Sequence, residues 1–181
     1  EALQCMVERR AGGETGIVAV QCLEGTKVWE AEQDGAWSQE LINEAIELVE
    51  PKQDGSKEDN CENPTAFLIE YADGLKTVTL MLPGHLRGFG YAARVDNHIV
   101  STAFNRTSDH HEAFTYQGLN IEEMFLSGRP TYPVDRTLLV TGALDALMES
   151  RYLGHVRIET PNLNIVYRAP EKAPMRPHRL S

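Results

Sequence analysis

Two pairs of apolar, β-rich segments are each joined by only three residues. Ala66 to Tyr71 and Leu75 to Leu82 flank Ala72-Asp73-Gly74, and Phe89 to Val95 and Ile99 to Phe104 flank Asp96-Asn97-His98. Loops this short admit only antiparallel neighbours, because a parallel pair needs a crossover of a dozen or more residues. Four strands joined in this way predict an antiparallel meander. Thr77 to Leu82 is apolar on both sides of the strand, which predicts that part of the sheet is covered on both faces.

The remaining segments fill in around that sheet. Leu3, Met6, Val7 and Arg10 fall at helical spacing before Ala11-Gly12-Gly13 stops the pattern, so residues 1–10 read as the tail of a helix that begins further upstream. A chain opening this way, on Glu1 and without a leader peptide, is expected to be part of a longer one. Gly16 to Leu23 reads as a strand, with Thr26 to Trp29 as its partner. Ser38 caps a predicted helix carrying Leu41, Ile42, Ala45, Ile46 and Val49, which stops near Pro51. Residues 51–64 are polar and aperiodic, and read as a long surface loop. Helices are predicted over 114–127, ending at Gly128, and over Val134 to Tyr152, ending at Gly154. Leu163 to Tyr167 reads as a last strand. Residues 1–168 thus form one α+β domain, a largely antiparallel open sheet with helices packed on one face, followed by a disordered, Pro-rich basic tail over 169–181.

A net charge of −10 and a pI near 5.0 exclude an electrostatic nucleic-acid binder, since neutralising phosphates requires clustered Lys and Arg. The excess is local: residues 1–64 hold fifteen Asp and Glu against five Lys and Arg, whereas residues 65–181 hold twelve of each. The longest apolar run, Gly88 to Ala93, is far short of the roughly 20 residues of a membrane-spanning helix. Three scattered cysteines, Cys5, Cys22 and Cys61, form neither a zinc pattern nor a redox pair, and their odd number suits a reducing cytoplasm.

Candidate chemistry is sparse. Gly12-Gly13-Glu14-Thr15-Gly16 is followed by a strand and lacks the spacing of a nucleotide-binding loop, so it is either a plain turn or a loop lining a ligand site, where Gly permits close backbone approach. His85, after Pro83-Gly84 at a strand end, is either a turn residue or a general acid/base facing a cleft. Asp109-His110-His111-Glu112 reads as a solvated loop rather than a metal site. Arg129, Tyr132 and Arg136 border the connector between two helices, where they either bind a carboxylate or phosphate or cap and pair structurally. No Ser or Cys sits in a nucleophile-elbow context.

The run Ile121-Glu122-Glu123-Met124-Phe125-Leu126-Ser127-Gly128-Arg129-Pro130, followed by Asp135-Arg136-Thr137-Leu138 and by Ala143-Leu144-Asp145-Ala146-Leu147-Met148-Glu149-Ser150, resembles the closing helices of Gfo/Idh/MocA-type oxidoreductases. The segment Glu70-Tyr71-Ala72-Asp73-Gly74 resembles the sheet of that family's C-terminal domain, and the likeness extends over residues 1–168. It implies a two-domain parent. An N-terminal Rossmann domain would hold NAD or NADP, and this domain would bind a sugar- or polyol-like substrate and pair subunits through its open sheet face. The nucleotide fingerprint is absent here. Active members of the family follow a Gly-Gly element with a spaced Asp and His, and in the counterpart region of this chain Glu14 is the only ionisable side chain. The resemblance leaves three readings: Glu14 does acid/base work, His85 does it, or the parent is a non-catalytic carbohydrate-binding or scaffold module. Gly12, Gly13, Thr15, Arg129, Tyr132 and Arg136 are the expected substrate-binding residues.

Overall fold

A computed structural model describes residues 1–104 and 112–171. The Asp109-His110-His111 triplet and the tail beyond Glu171 lie outside the described residues.

A short helix α1 (Ala2–Val7) leads into strand β1 (Ile17–Glu24), helix α2 (Thr26–Gln33), helix α3 (Gln39–Glu47) and the four-residue helix α4 (Lys57–Asn60). The hairpin β2 (Thr65–Tyr71) and β3 (Lys76–Met81) follows, then the hairpin β4 (Gly90–Val95) and β5 (His98–Ala103). Two long helices, α5 (Glu112–Ser127) and α6 (Val134–Tyr152), precede the two-residue strand β6 (Ile158–Glu159) and a 3-10 turn at Pro161–Leu163. The principal sheet has the order β3-β2-β1-β6 and is antiparallel throughout. The α+β architecture, with an antiparallel sheet and packed helices, is the one expected.

The core forms where α6 lies across β1. Leu139, Ala143, Ala146 and Leu147 recur on one side of α6 and bury against Ile17, Val20 and Cys22, with Phe67 and Ile69 from β2 beside them. An irregularity between Ile17 and Ala19 lets Ile17 face the same side as Val20 despite its odd spacing. The end of α6 is pinned to the strand by Ser150, whose buried hydroxyl accepts from the Cys22 N–H (3.0 Å) and donates to the Val156 carbonyl (2.6 Å). The opposite side of the sheet carries Leu23, Ala66, Leu68, Val78 and Leu80, which pack on Val28, Trp29 and Trp37 in and after α2. Partial cover of both faces agrees with the apolar character of β3.

Three local expectations change. Thr26 to Trp29 is the first turn of α2, not a strand: Gly25, at φ 60°, breaks the chain out of β1, and Val28 is buried against Leu23 and Ala66. The four strands do not form one meander, because among the described residues β4 and β5 pair with each other alone and sit on α3. Gly90 backs directly onto the Ala45 carbonyl, and Arg94 pairs with Glu40. The expected last strand is displaced to β6, since Pro161 starts the 3-10 turn that ends at Leu163. Within the loop over residues 51–64, α4 is capped by the Ser56 hydroxyl, which accepts from the Asp59 N–H (3.0 Å).

The outer sides of the two long helices remain apolar. On α6, Val134, Leu138, Met148 and Tyr152 are exposed opposite the core residues. On α5, Phe114, Gly118, Ile121 and Phe125 follow each other at steps of four, three and four residues, with Phe114 72% and Phe125 78% exposed.

Leu139→Ala is expected to destabilise the domain by about 2–5 kcal/mol through an unfilled core. Ser150→Ala is expected to cost about 1–3 kcal/mol, because it strands the buried Cys22 N–H. Urea unfolding of the two variants checks both values.

Candidate functional site

The Gly12–Gly16 turn is held flat against the segment after the 3-10 turn. A Cβ on Gly13 would stand 2.8 Å from the Tyr167 carbonyl oxygen, and one on Gly16 would stand 2.9 Å from that of Leu163. Both glycines have positive φ, so only residues without a side chain adopt this path easily. The Glu14 N–H donates to the Tyr167 carbonyl (2.9 Å), and Tyr167 returns a longer bond of 3.3 Å. This pairing turns the Glu14 side chain inward.

Glu14 is 0% exposed, and its two oxygens accept five hydrogen bonds. The donors are Gln4 Nε2 (2.6 Å), the backbone N–H groups of Thr15 (2.9 Å) and Gly16 (2.8 Å), and the two terminal nitrogens of Arg10 (3.4 and 3.5 Å). Arg10 also donates to Asp73 (2.6 Å), Thr15 Oγ1 (2.9 Å) and the Val7 carbonyl (2.8 Å), with its guanidinium over the Tyr71 ring.

Gln4 is the hub. Its amide nitrogen also donates to the Tyr167 hydroxyl (2.9 Å), and its oxygen accepts from the Tyr71 hydroxyl (3.2 Å). The Tyr167 hydroxyl in turn donates to Glu8 Oε2 (2.7 Å). Gln4 and Glu8, four residues apart, share one side of α1 and its C-terminal extension. Glu8 is 1% exposed and receives a two-pronged contact from Arg136, at 2.8 Å through Nε and through a terminal nitrogen to the other oxygen. Arg136 in turn lies over the Tyr132 ring, 4.8 Å from its centre.

The electrostatics follow from this burial. Desolvation, reinforced by the neighbouring Glu8 and Glu14 carboxylates, pushes the Tyr71 and Tyr167 hydroxyls well above their usual range, which keeps them neutral donors. Burial alone would lower the Arg10 and Arg136 guanidiniums, but their carboxylate partners more than offset it and raise both. Burial likewise raises the Cys22 and Cys61 thiols, away from nucleophilic thiolates.

The structure thus brings Gly13, Glu14, Thr15, Tyr132 and Arg136 into one constellation, and adds four groups that the sequence did not single out, Gln4, Glu8, Arg10 and Tyr167. Only the helical spacing of Gln4 and Glu8 beside apolar Val7 hinted at them. His85 is not part of it. Its Nδ1 accepts from Asn60 Nδ2 (3.1 Å), its carbonyl accepts from the Gln53 N–H (2.9 Å), and its side chain is buried beside α4. Arg129 stands exposed in the turn after α5, where its N–H meets Ser127 Oγ (3.3 Å). Chemically, the constellation is a saturated, charge-neutral clamp: Glu14 has no oxygen turned toward solvent to take a substrate proton. Among the described residues no three His, Cys, Asp or Glu side chains gather to hold a metal ion.

Clefts open at the surface among the described residues. One, of about 320 Å³, lies over Gly12 and Gly13 between the end of α1 and residues 168–171. Another, of about 380 Å³, lies between the end of α3 and the base of the β4–β5 hairpin, with Phe89 and Phe104 among its lining residues. Against this geometry, no protein-family model, no curated protein and no solved structure matches the chain.

Arg136→Met leaves Glu8 buried and unpaired and is expected to cost about 3–5 kcal/mol, of which the double variant Glu8→Gln/Arg136→Met regains a part. A double-mutant cycle in urea checks this.

Proposed function

We propose that this chain is the substrate-binding and dimerisation domain of a Gfo/Idh/MocA-like oxidoreductase. It would act on a sugar or polyol with NAD or NADP held mainly by a separate N-terminal Rossmann domain. The observation that carries the reading is the outward apolar side of each long helix, Phe114, Ile121 and Phe125 on α5 and Val134, Leu138 and Tyr152 on α6, each suited to a packed neighbour. In this arrangement the neighbour on the helices is the cofactor domain, and a second copy pairs with the part of the sheet that α2 leaves uncovered.

A second reading has its own support. Glu14 is sealed and fully hydrogen-bonded, and His85 lies apart from it, so the two candidate acid/base groups share no site. That favours a non-catalytic carbohydrate-binding or scaffold module with the same domain. Measuring NAD(P)H binding and turnover on a polyol panel, with a protein that carries this domain after a Rossmann unit, separates the two. Cofactor-dependent oxidation of a polyol is expected for the enzyme; cofactor binding without turnover selects the module, and absence of cofactor binding sinks the oxidoreductase reading. Under the enzyme reading Glu14→Gln lowers stability rather than specifically abolishing the chemical step, which thermal melting and kcat measured on the same sample distinguish.

A further inference from the structure

The charged residues lining the cleft over Gly12 and Gly13 are Glu8, Arg9, Arg10, Arg168 and Glu171. Its charges are unequally compensated. Glu8 is taken up by Arg136, and Arg10 by Asp73 and Glu14. Arg9 instead donates to two neutral acceptors, the carbonyls of Pro170 (3.2 Å) and Glu171 (3.4 Å). Arg168 is exposed and runs over Gly13, its Cγ 3.5 Å from where a Cβ would stand. Neither Arg9 nor Arg168 forms an ion pair among the described residues, in a chain whose net charge is −10. Two guanidiniums without an ion-pair partner among the described residues therefore border one concavity, against the single carboxylate of Glu171 on its rim.

The floor adds a backbone donor. The turn from Arg10 to Gly13 closes through Gly13 N–H to the Arg10 carbonyl (2.9 Å), and the Gly12 N–H has no acceptor among the described residues. Nothing lies within 4 Å of a Cβ placed on Gly12, so the space beside its Cα is open. Guanidiniums flanking a free amide at a glycine turn are the elements that receive an oxyanion. A volume of about 320 Å³ sits at the small end of ligand sites.

We propose that this cleft binds the oxyanion end, carboxylate or phosphate, of a small organic metabolite, with Arg9, Arg168 and the Gly12 N–H as the groups that hold it. This goes beyond the oxidoreductase reading and does not depend on it, because the site uses neither a cofactor nor the sealed Glu14.

Calorimetric titration of the 181-residue chain with gluconate, glucose 6-phosphate and neutral glucose tests it. At least one anion is expected to bind, more weakly as salt rises, while glucose does not. Gluconate alone assigns a carboxylate, and glucose 6-phosphate alone assigns a phosphate. Arg168→Gln, at an exposed position, and Arg9→Gln are each expected to weaken binding by roughly tenfold, the scale of one lost charge-assisted hydrogen bond. Arg168→Glu should abolish binding while leaving the melting temperature in place. Binding of neither anion, or unchanged affinity in Arg168→Gln and Arg168→Glu, overturns the proposal.

Discussion

Two carboxylates withdrawn from water, Glu8 and Glu14, make the strictest demand on this structure. Removing such an ion from solvent costs several kcal/mol unless a partner and a full set of donors arrive with it. Here the partners come from far apart in the chain: Arg136 from the start of α6, Arg10 from the end of α1, Gln4 from within α1, and Tyr167 from beyond the 3-10 turn. The same Arg10 reaches Asp73 at the tip of the β2–β3 hairpin. Satisfying two charges therefore fixes five pieces of backbone relative to one another.

That clamp shapes what the surface offers. By drawing Glu14 inward and pressing Gly13 and Gly16 onto the Tyr167 and Leu163 carbonyls, it leaves the opposite side of the turn to Gly12, Arg9 and Arg168. Glu14, one of the two residues that the sequence offered for acid/base work, is buried as a support for the loop, and its neighbours carry the accessible charge. The long helices show a comparable division. The inner side of α6 seals the core through Leu139, Ala143 and Leu147, while its outer side and that of α5 are apolar without a described layer above them. In the proposed two-domain parent this outer layer is where the cofactor domain packs.

Much of the local structure was legible. Asp96 and Asn97 take positive φ, as a tight hairpin turn requires, and Gly74 does so in the other hairpin. The Ser38 hydroxyl caps α3 through the Leu41 N–H, and α6 spans the segment its apolar spacing marked. Thr26 to Trp29 was misread because Val28 and Trp29 suit a strand by propensity, and only their packing on Leu23 and Ala66 makes them helical. The separation of the β4–β5 hairpin from β3 was equally hidden, since it depends on the fit of Gly90 against Ala45 in α3. For the site, Gly13, Glu14 and Thr15 were found together because they adjoin in sequence. The pairing of Glu8 with Arg136, 128 positions apart, left no local mark.

By itself, the amino-acid sequence determined the antiparallel hairpins, the helix starts and stops and the α+β class. These follow from turn geometry, capping and apolar periodicity, all of which act over a few residues. Which strands share a sheet, and which way Glu14 points, were decided only by the tertiary structure. So was the identity of the cations left without an ion-pair partner among the described residues. The physical reason is that burial sets the cost of a charge, and burial exists only once Gln4, Tyr167 and Arg136 have converged from opposite ends of the chain.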